Sequence, residues 1–140
     1  RTDVASHFVG AKTFVPAMSH GGRYIGIGGG SADFVLHNGG HMGGGQAALR
    51  MLYRTLAYEF ADRGAHVHEL IIASVVNGKS TQAFAKPEWV TSREIGQQLL
   101  DMAERPDAYA DPVWRLARRG DDGKPTLTTE GQTSVQGATT

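Results

Sequence analysis

The sequence predicts an α/β protein whose parallel sheet is flanked by helices, and three observations predict it. Two apolar runs, Tyr24-Ile25-Gly26-Ile27 and residues 67–76 (VHELIIASVV), are continuous rather than alternating, the look of strands buried on both faces. Each run follows a segment whose apolar residues fall three and four apart, the spacing of one helix face. Helix, strand, helix, strand alternation is what a parallel sheet requires, because each return to the next strand takes a crossover.

In residues 4–18, Val4, Phe8, Ala11, Val15 and Met18 make the first helical stripe, and His20-Gly21-Gly22 ends it. Residues 28–40 form a glycine-rich loop after the first strand. Residues 43–63 give the clearest helix, with Ala48, Leu49, Leu52, Leu56 and Phe60 in one stripe. Ala47, Met51, Thr55 and Tyr58 widen that stripe, which implies one contact surface for the sheet and another for something else. Arg63-Gly64 closes the helix in the expected order of cation then glycine. Gly43-Gly44-Gly45 at its start costs roughly 1 kcal/mol per glycine relative to alanine, which suggests close approach of another backbone or a ligand, with tolerated drift in an unselected site as the alternative. Thr91, Ser92 and Glu94 open a further helix that carries Ile95, Leu99, Leu100 and Met102 and stops at Pro106. Residues 113–116 make a short last strand. Residues 118–140 are polar, small and aperiodic, so a folded unit over 1–117 with a flexible polar tail is expected.

At 140 residues the chain is one domain at most. Such a length buries roughly two thirds of its unfolded surface. Lys+Arg and Asp+Glu number 14 each, so nothing favours nucleic acid or an anionic membrane surface as a partner. No apolar run approaches the ~20 residues of a membrane span, and no signal-peptide pattern is present. The lack of cysteine excludes a disulfide framework and thiolate chemistry, and accords with a cytoplasmic protein.

Residues 22–64 read GRYIGIGGGSADFVLHNGGHMGGGQAALRMLYRTLAYEFADRG. This stretch resembles the second half of a short-chain dehydrogenase/reductase (SDR): a strand, a substrate loop, then a long helix that opens with a Tyr-x-x-x-Lys pair. The resemblance covers residues 3–100. It rests on the order and spacing of Val15-Pro16-Ala17-Met18, Gly22-Arg23, Gln46-Ala47-Ala48-Leu49 and Thr55-Leu56-Ala57-Tyr58-Glu59. It implies a partial Rossmann-like (SDR-type) sheet. Strands are visible for one of the two mononucleotide halves only, so the N-terminal dinucleotide-binding half is expected to be absent and the chain to be a piece of a longer ancestor.

The family's chemistry is hydride transfer to or from NAD(P), with a Tyr as general acid/base, a Lys that lowers its pKa and holds the ribose, a Ser and an upstream Asn. A phenol of pKa about 10 needs such help to exchange a proton near neutrality. The resemblance places the Asn position at Asp3, the Ser at Gly29, the Tyr at Met42 and the Lys at Gln46. Gly29 lies thirteen residues before Met42, the usual family separation. Met42 has no exchangeable proton and Gln46 no charge. The family's later Pro-Gly falls near Ile72-Ala73, so the nicotinamide contact is in doubt. GIGGGSA at residues 26–32 looks like a phosphate loop but follows the wrong strand and opens no helix directly. No catalytic, cofactor-binding or metal-binding residue is therefore expected in this chain, and NAD(P) is implied by the family alone.

Other candidates have simpler readings. His66 and His68 sit two apart and His37 and His41 four apart, but no carboxylate stands at ligand spacing and ordinary histidines are the default. Tyr24, Tyr53 and Tyr58 as replacement acids are more simply core or interface. Asp3 near a helix start is more simply a cap or dipole partner. The resulting expectation is an SDR-like protein without the family's catalytic residues, acting as a binding or oligomerisation module. Its partner is another copy or an SDR-like subunit, through helices 4–18 and 43–63. The alternative is an NAD(P)-dependent oxidoreductase of atypical SDR type, of which this is the C-terminal portion or one half of a split enzyme.

Overall fold

The computed structural model describes residues 2–130, with side chains from Val4 onward. The main elements are α1 (Thr2–Phe14), β1 (Arg23–Gly29), α2 (Gly40–Phe60), β2 (His66–Ala73), β3 (Val76–Asn77), β4 (Val90–Thr91), α3 (Ser92–Glu104), β5 (Val113–Arg119) and β6 (Pro125–Thr129). The main sheet runs β1-β2-β5-β6; β1, β2 and β5 are parallel and β6 is antiparallel to β5. The architecture is α/β, a partial Rossmann-like sheet flanked by helices.

The central strand explains the layering. Residues 67–71 of β2 are all buried, as expected of a strand covered on both faces. Register pairs Tyr24 with Val67, Gly26 with Glu69 and Gly28 with Ile71, so these six side-chain positions share one face. On that face Val67 packs with Ala11, Val15 and Tyr53 from the α1 and α2 layer. On the opposite face Leu70 and Leu116 pack with Val90, Met102 and Tyr109. The start of α3 is a capping box: Thr91 Oγ1 accepts from Glu94 N at 3.2 Å and Glu94 Oε2 accepts from Thr91 N at 2.7 Å.

Three expectations need correction. The run 67–76 is not one strand. β2 ends at Ala73, its last pairing with β5, and Val76–Asn77 leaves to pair with Val90–Thr91 in a separate two-stranded sheet. The sheet-facing side of α2 is centred on Leu49 and Tyr53, both buried, rather than on the whole Leu49-to-Phe60 stripe; Leu52, Leu56 and Phe60 line a groove against α1 instead. Of the two readings given for Tyr58, core or interface, its exposure excludes the core. The flexible tail from Arg118 onward does not hold for residues 118–130. Thr126-Leu127-Thr128-Thr129 supplies β-branched residues and one apolar residue facing the α3-side core, and Gly123, with φ +73°, closes the hairpin. Residues 131–140 lie outside the described residues.

The glycines opening α2 have a partial explanation. A Cβ at Gly43 would stand 3.0 Å from the Ser31 carbonyl oxygen, so the helix start lies against the turn after β1. Gly44 has open space around it, and nothing in the structure explains it.

Candidate functional site

The carboxyl ends of β1, β2 and β5 open onto a cleft of about 420 Å³, lined by Ser31, Phe34, Ala73, Ser74, Arg115 and Arg118 among others. Ligands of open α/β sheets bind at this end of the strands. The wall nearest α2 is a short turn, Gly30–Ala32, that continues β1. Serine at position 31 brings a hydroxyl-bearing side chain to the cleft, two residues beyond the Gly29 position singled out from sequence.

Two of the four expected positions meet directly. Gly29 N donates to Gln46 Oε1 at 2.5 Å, so the Gln46 amide oxygen ties α2 to the end of β1. Met42 lies one turn earlier on α2 and is exposed. The side chain of Asp3 lies outside the described residues. At the family's Pro-Gly position, Ala73 presses on the turn: a Cβ at Gly30 would stand 3.3 Å from the Ala73 Cβ. GIGGGSA forms the end of β1 and one tight turn, with α2 beginning only at Gly40.

Neither Tyr53 nor His68 lines this cleft. Tyr53 is wholly buried between α1 and β1, its hydroxyl 2.8 Å from His7 Nδ1 and its ring stacked on Tyr24. Burial pushes its phenol further up, away from any acid–base role at neutral pH. Gly26 makes this possible, since a Cβ there would overlap the Tyr53 hydroxyl. His68 is buried, with Nε2 2.8 Å from the Tyr109 carbonyl oxygen, and burial holds its pKa down. Among the described residues no group of three or more His, Asp or Glu side chains is placed to hold a metal ion.

Sequence reasoning missed a charged cluster between α2 and β2. Glu69 is wholly buried, and burial pushes its carboxyl up to about 7, with Arg50 acting in the other direction. A Cβ at Gly28 would overlap Glu69 Oε1 and stand 3.2 Å from Gln46 Oε1, so the tips of Glu69 and Gln46 both lie over this glycine. Arg50 reaches Asp33 at 2.6 Å and Glu130 at 3.0 Å; Arg54 reaches Glu130 at 3.0 Å. Arg115 also pairs with Asp33, whose carboxyl is held below the usual range chiefly by its hydrogen bond from Arg50. The sequence did carry a signal. Glu69 interrupts a buried strand, and Arg50 and Arg54 stand four apart on the side of α2 that faces it.

Residues 1–123 match the family model described as Enoyl-(Acyl carrier protein) reductase, an SDR family. The chain belongs to the short-chain dehydrogenase/reductase family. None of the curated proteins matches it. In this family member Gly29 ends a strand, Gln46 sits beside it on the following helix, and Met42 precedes Gln46 by one turn. An SDR tyrosine and lysine at 42 and 46 would supply a proton and a positive charge. The side chains present supply neither.

Proposed function

We propose that this SDR-family chain is non-catalytic and acts as a binding and subunit-pairing module. The observation that carries the reading is the Gly29–Gln46 hydrogen bond. Where the family holds a cationic lysine, this chain has a neutral amide whose oxygen is committed to the backbone. The residues present do not fit NAD(P): no ammonium for a ribose at 46, no proton donor at 42, and Ala73 packed on Gly30 at the Pro-Gly position.

Support for pairing comes from the layer of α1 and α2. Phe8, Val9 and Phe14 of α1 and Met51 and Tyr58 of α2 are exposed, which is a large apolar surface for two adjacent helices. A groove of about 230 Å³ runs between them, floored by Leu52, Leu56 and Phe60 and edged by Lys12 and Glu59. A two-fold contact would be self-complementary, with apolar residues at its centre.

Two experiments test the two halves of this proposal. Steady-state assays with NADH and NADPH against a carbonyl panel should show no turnover; turnover abolished by Tyr24→Phe or Asp3→Asn would overturn the non-catalytic reading. Analytical ultracentrifugation at tens of micromolar should show an oligomer that Met51→Glu, Tyr58→Glu dissociates. A folded monomer unchanged by those charges would sink the pairing.

A second reading, an atypical NAD(P)-dependent oxidoreductase of which this is a portion or one half, is favoured by β1. That strand sits at the edge of the described sheet with only β2 beside it. Its free edge can take a further strand from preceding sequence or a partner chain. Turnover that appears only when such a partner is supplied would decide for it.

A further inference from the structure

Arg50 and Arg54 each divide their donors between two directions. Outward, Arg50 Nη1 binds Asp33 Oδ1 at 2.6 Å and Glu130 Oε1 at 3.0 Å, and Arg54 Nη2 binds Glu130 Oε2 at 3.0 Å. Of the remaining nitrogens, Nε and Nη2 of Arg50 and Nε of Arg54 are buried without a hydrogen-bond partner. Both oxygens of Glu69 are in the same condition. Unpaired donors and unpaired acceptors of opposite charge thus share one interior region. Burial without pairing is costly for each of them.

The groups around Glu69 leave few other arrangements. From α2, Arg50, Arg54 and the Tyr53 phenol interact with it electrostatically and the Gln46 amide lies with it over Gly28, while Glu130, just past β6, acts on it as a like charge. β1 presents Tyr24, Gly26 and Gly28 on this face, Tyr24 being stacked on Tyr53, and the residue paired with Glu69 on β5 is Val113. Arg115, further along β5, is held by Asp33. The guanidinium is a rigid planar fork, so turning it to satisfy one set of donors displaces the other.

We propose that Glu69 works a proton-driven latch: with its carboxyl neutral, Arg50 and Arg54 hold Asp33 and Glu130, and with it ionised they turn inward and loosen residues 30–39 and β6 from α2. The outward arrangement described above is the latched state. Asp33 stands at the end of the Gly30–Ala32 turn, and Gly30, Ser31 and Phe34 line the cleft at the strand ends, so release widens access to that cleft. Glu130 fastens β6, the outer strand of the sheet, to α2. Burial brings the Glu69 carboxyl up to about 7, which puts both states within reach of neutral pH. The latch goes beyond the pairing role and does not depend on it.

Hydrogen exchange read by mass spectrometry tests it, on the full chain at about pH 5.5 and about pH 8.5, corrected for intrinsic rates. In the wild type, protection of residues 30–39 and of Pro125–Thr129 should fall about tenfold more than that of α3 at the higher pH. Glu69→Gln should keep the low-pH pattern at both. The proposal is overturned if Glu69→Gln shows the wild-type response, or if α3 loses protection equally. Asp33→Asn, a surface change, gives an independent reading should Glu69→Gln not fold. It should abolish the response in residues 30–39 and leave it in β6, and a response kept in both segments contradicts the latch.

Discussion

On the α3 side of the sheet, Leu70 and Leu116 close on Val90, Met102 and Tyr109 with an apolar core, and the helix that covers them starts in a complete capping box. On the α2 side, the same strand begins in the same manner, with Val67 against Tyr53, and then departs from it. Two residues on it carries Glu69, and the facing helix answers with Arg50 and Arg54. The difference teaches where this chain has kept stability and where it has put charge. The α3 face is a mainly apolar anchor in which burial lowers the His68 pKa, whereas the α2 face lies under positions 42 and 46 and buries the Glu69 carboxyl.

The largest expected effect breaks the anchor. Leu70 is wholly buried in the α3-side core, and Leu70→Ala should destabilise the chain by about 2–5 kcal/mol at any pH, read from urea midpoints. The α2 face should behave otherwise. The Glu69 carboxyl is raised from 4.5 to about 7, so the native state keeps its proton where the unfolded chain has lost it. Its contribution to stability is whole below about 4.5 and is lost as pH rises to about 7, a difference of roughly 3 kcal/mol. Glu69→Gln should therefore gain on the wild type between about pH 4.5 and about pH 7 by that order, and identical pH profiles would erase the contrast between faces. Asp33 runs in the opposite sense, its stabilisation present above its ordinary range and lost only as strong acid protonates it.

A smaller effect sharpens the comparison along β1. Gly26→Ala drives a methyl into the Tyr53 ring, which is fixed by His7 and the surrounding core, and should cost about 1–3 kcal/mol. Gly28→Ala meets the flexible tip of Glu69 instead and should cost less in denaturant melts. Smallest of all, Thr91→Ala removes one half of the α3 capping box and should cost about 1 kcal/mol, with no dependence on the state of Glu69.

The legible part of this fold is the part with clean periodicity. Thr91 and Glu94 announced α3, Pro106 its end, and continuous apolar runs announced β1 and β2, because each feature is local. The break at Ala73 was not legible, since Ser74 and Val75 look like strand residues and only the loss of a β5 partner ends the pairing. β6 was missed because Thr126 to Thr129 carry a single apolar residue; the strand depends on Leu127 meeting the α3-side core. The hydrogen bond between Gly29 and Gln46 was not foreseen from the thirteen-residue separation of Gly29 and Met42, because it depends on how α2 is laid against the end of β1. The charged cluster was hidden because Arg50, Arg54 and Glu69 each look unremarkable until β2 is laid under α2 and Glu130 is brought from the far end of the chain.

The central claim is that catalysis is missing from the site as a whole, and not merely from one side chain. The double variant Met42→Tyr, Gln46→Lys tests it most directly, by NADPH oxidation with a carbonyl panel. Residues that act as a unit lose function non-additively, and Gly29 still offers no hydroxyl while Glu69 waits beneath position 46 to pair with the restored ammonium. The expected result is a rate no different from the protein-free blank. A measurable oxidation, removed again by Met42→Phe in place of Met42→Tyr, would contradict the account and show a working cofactor site in this chain.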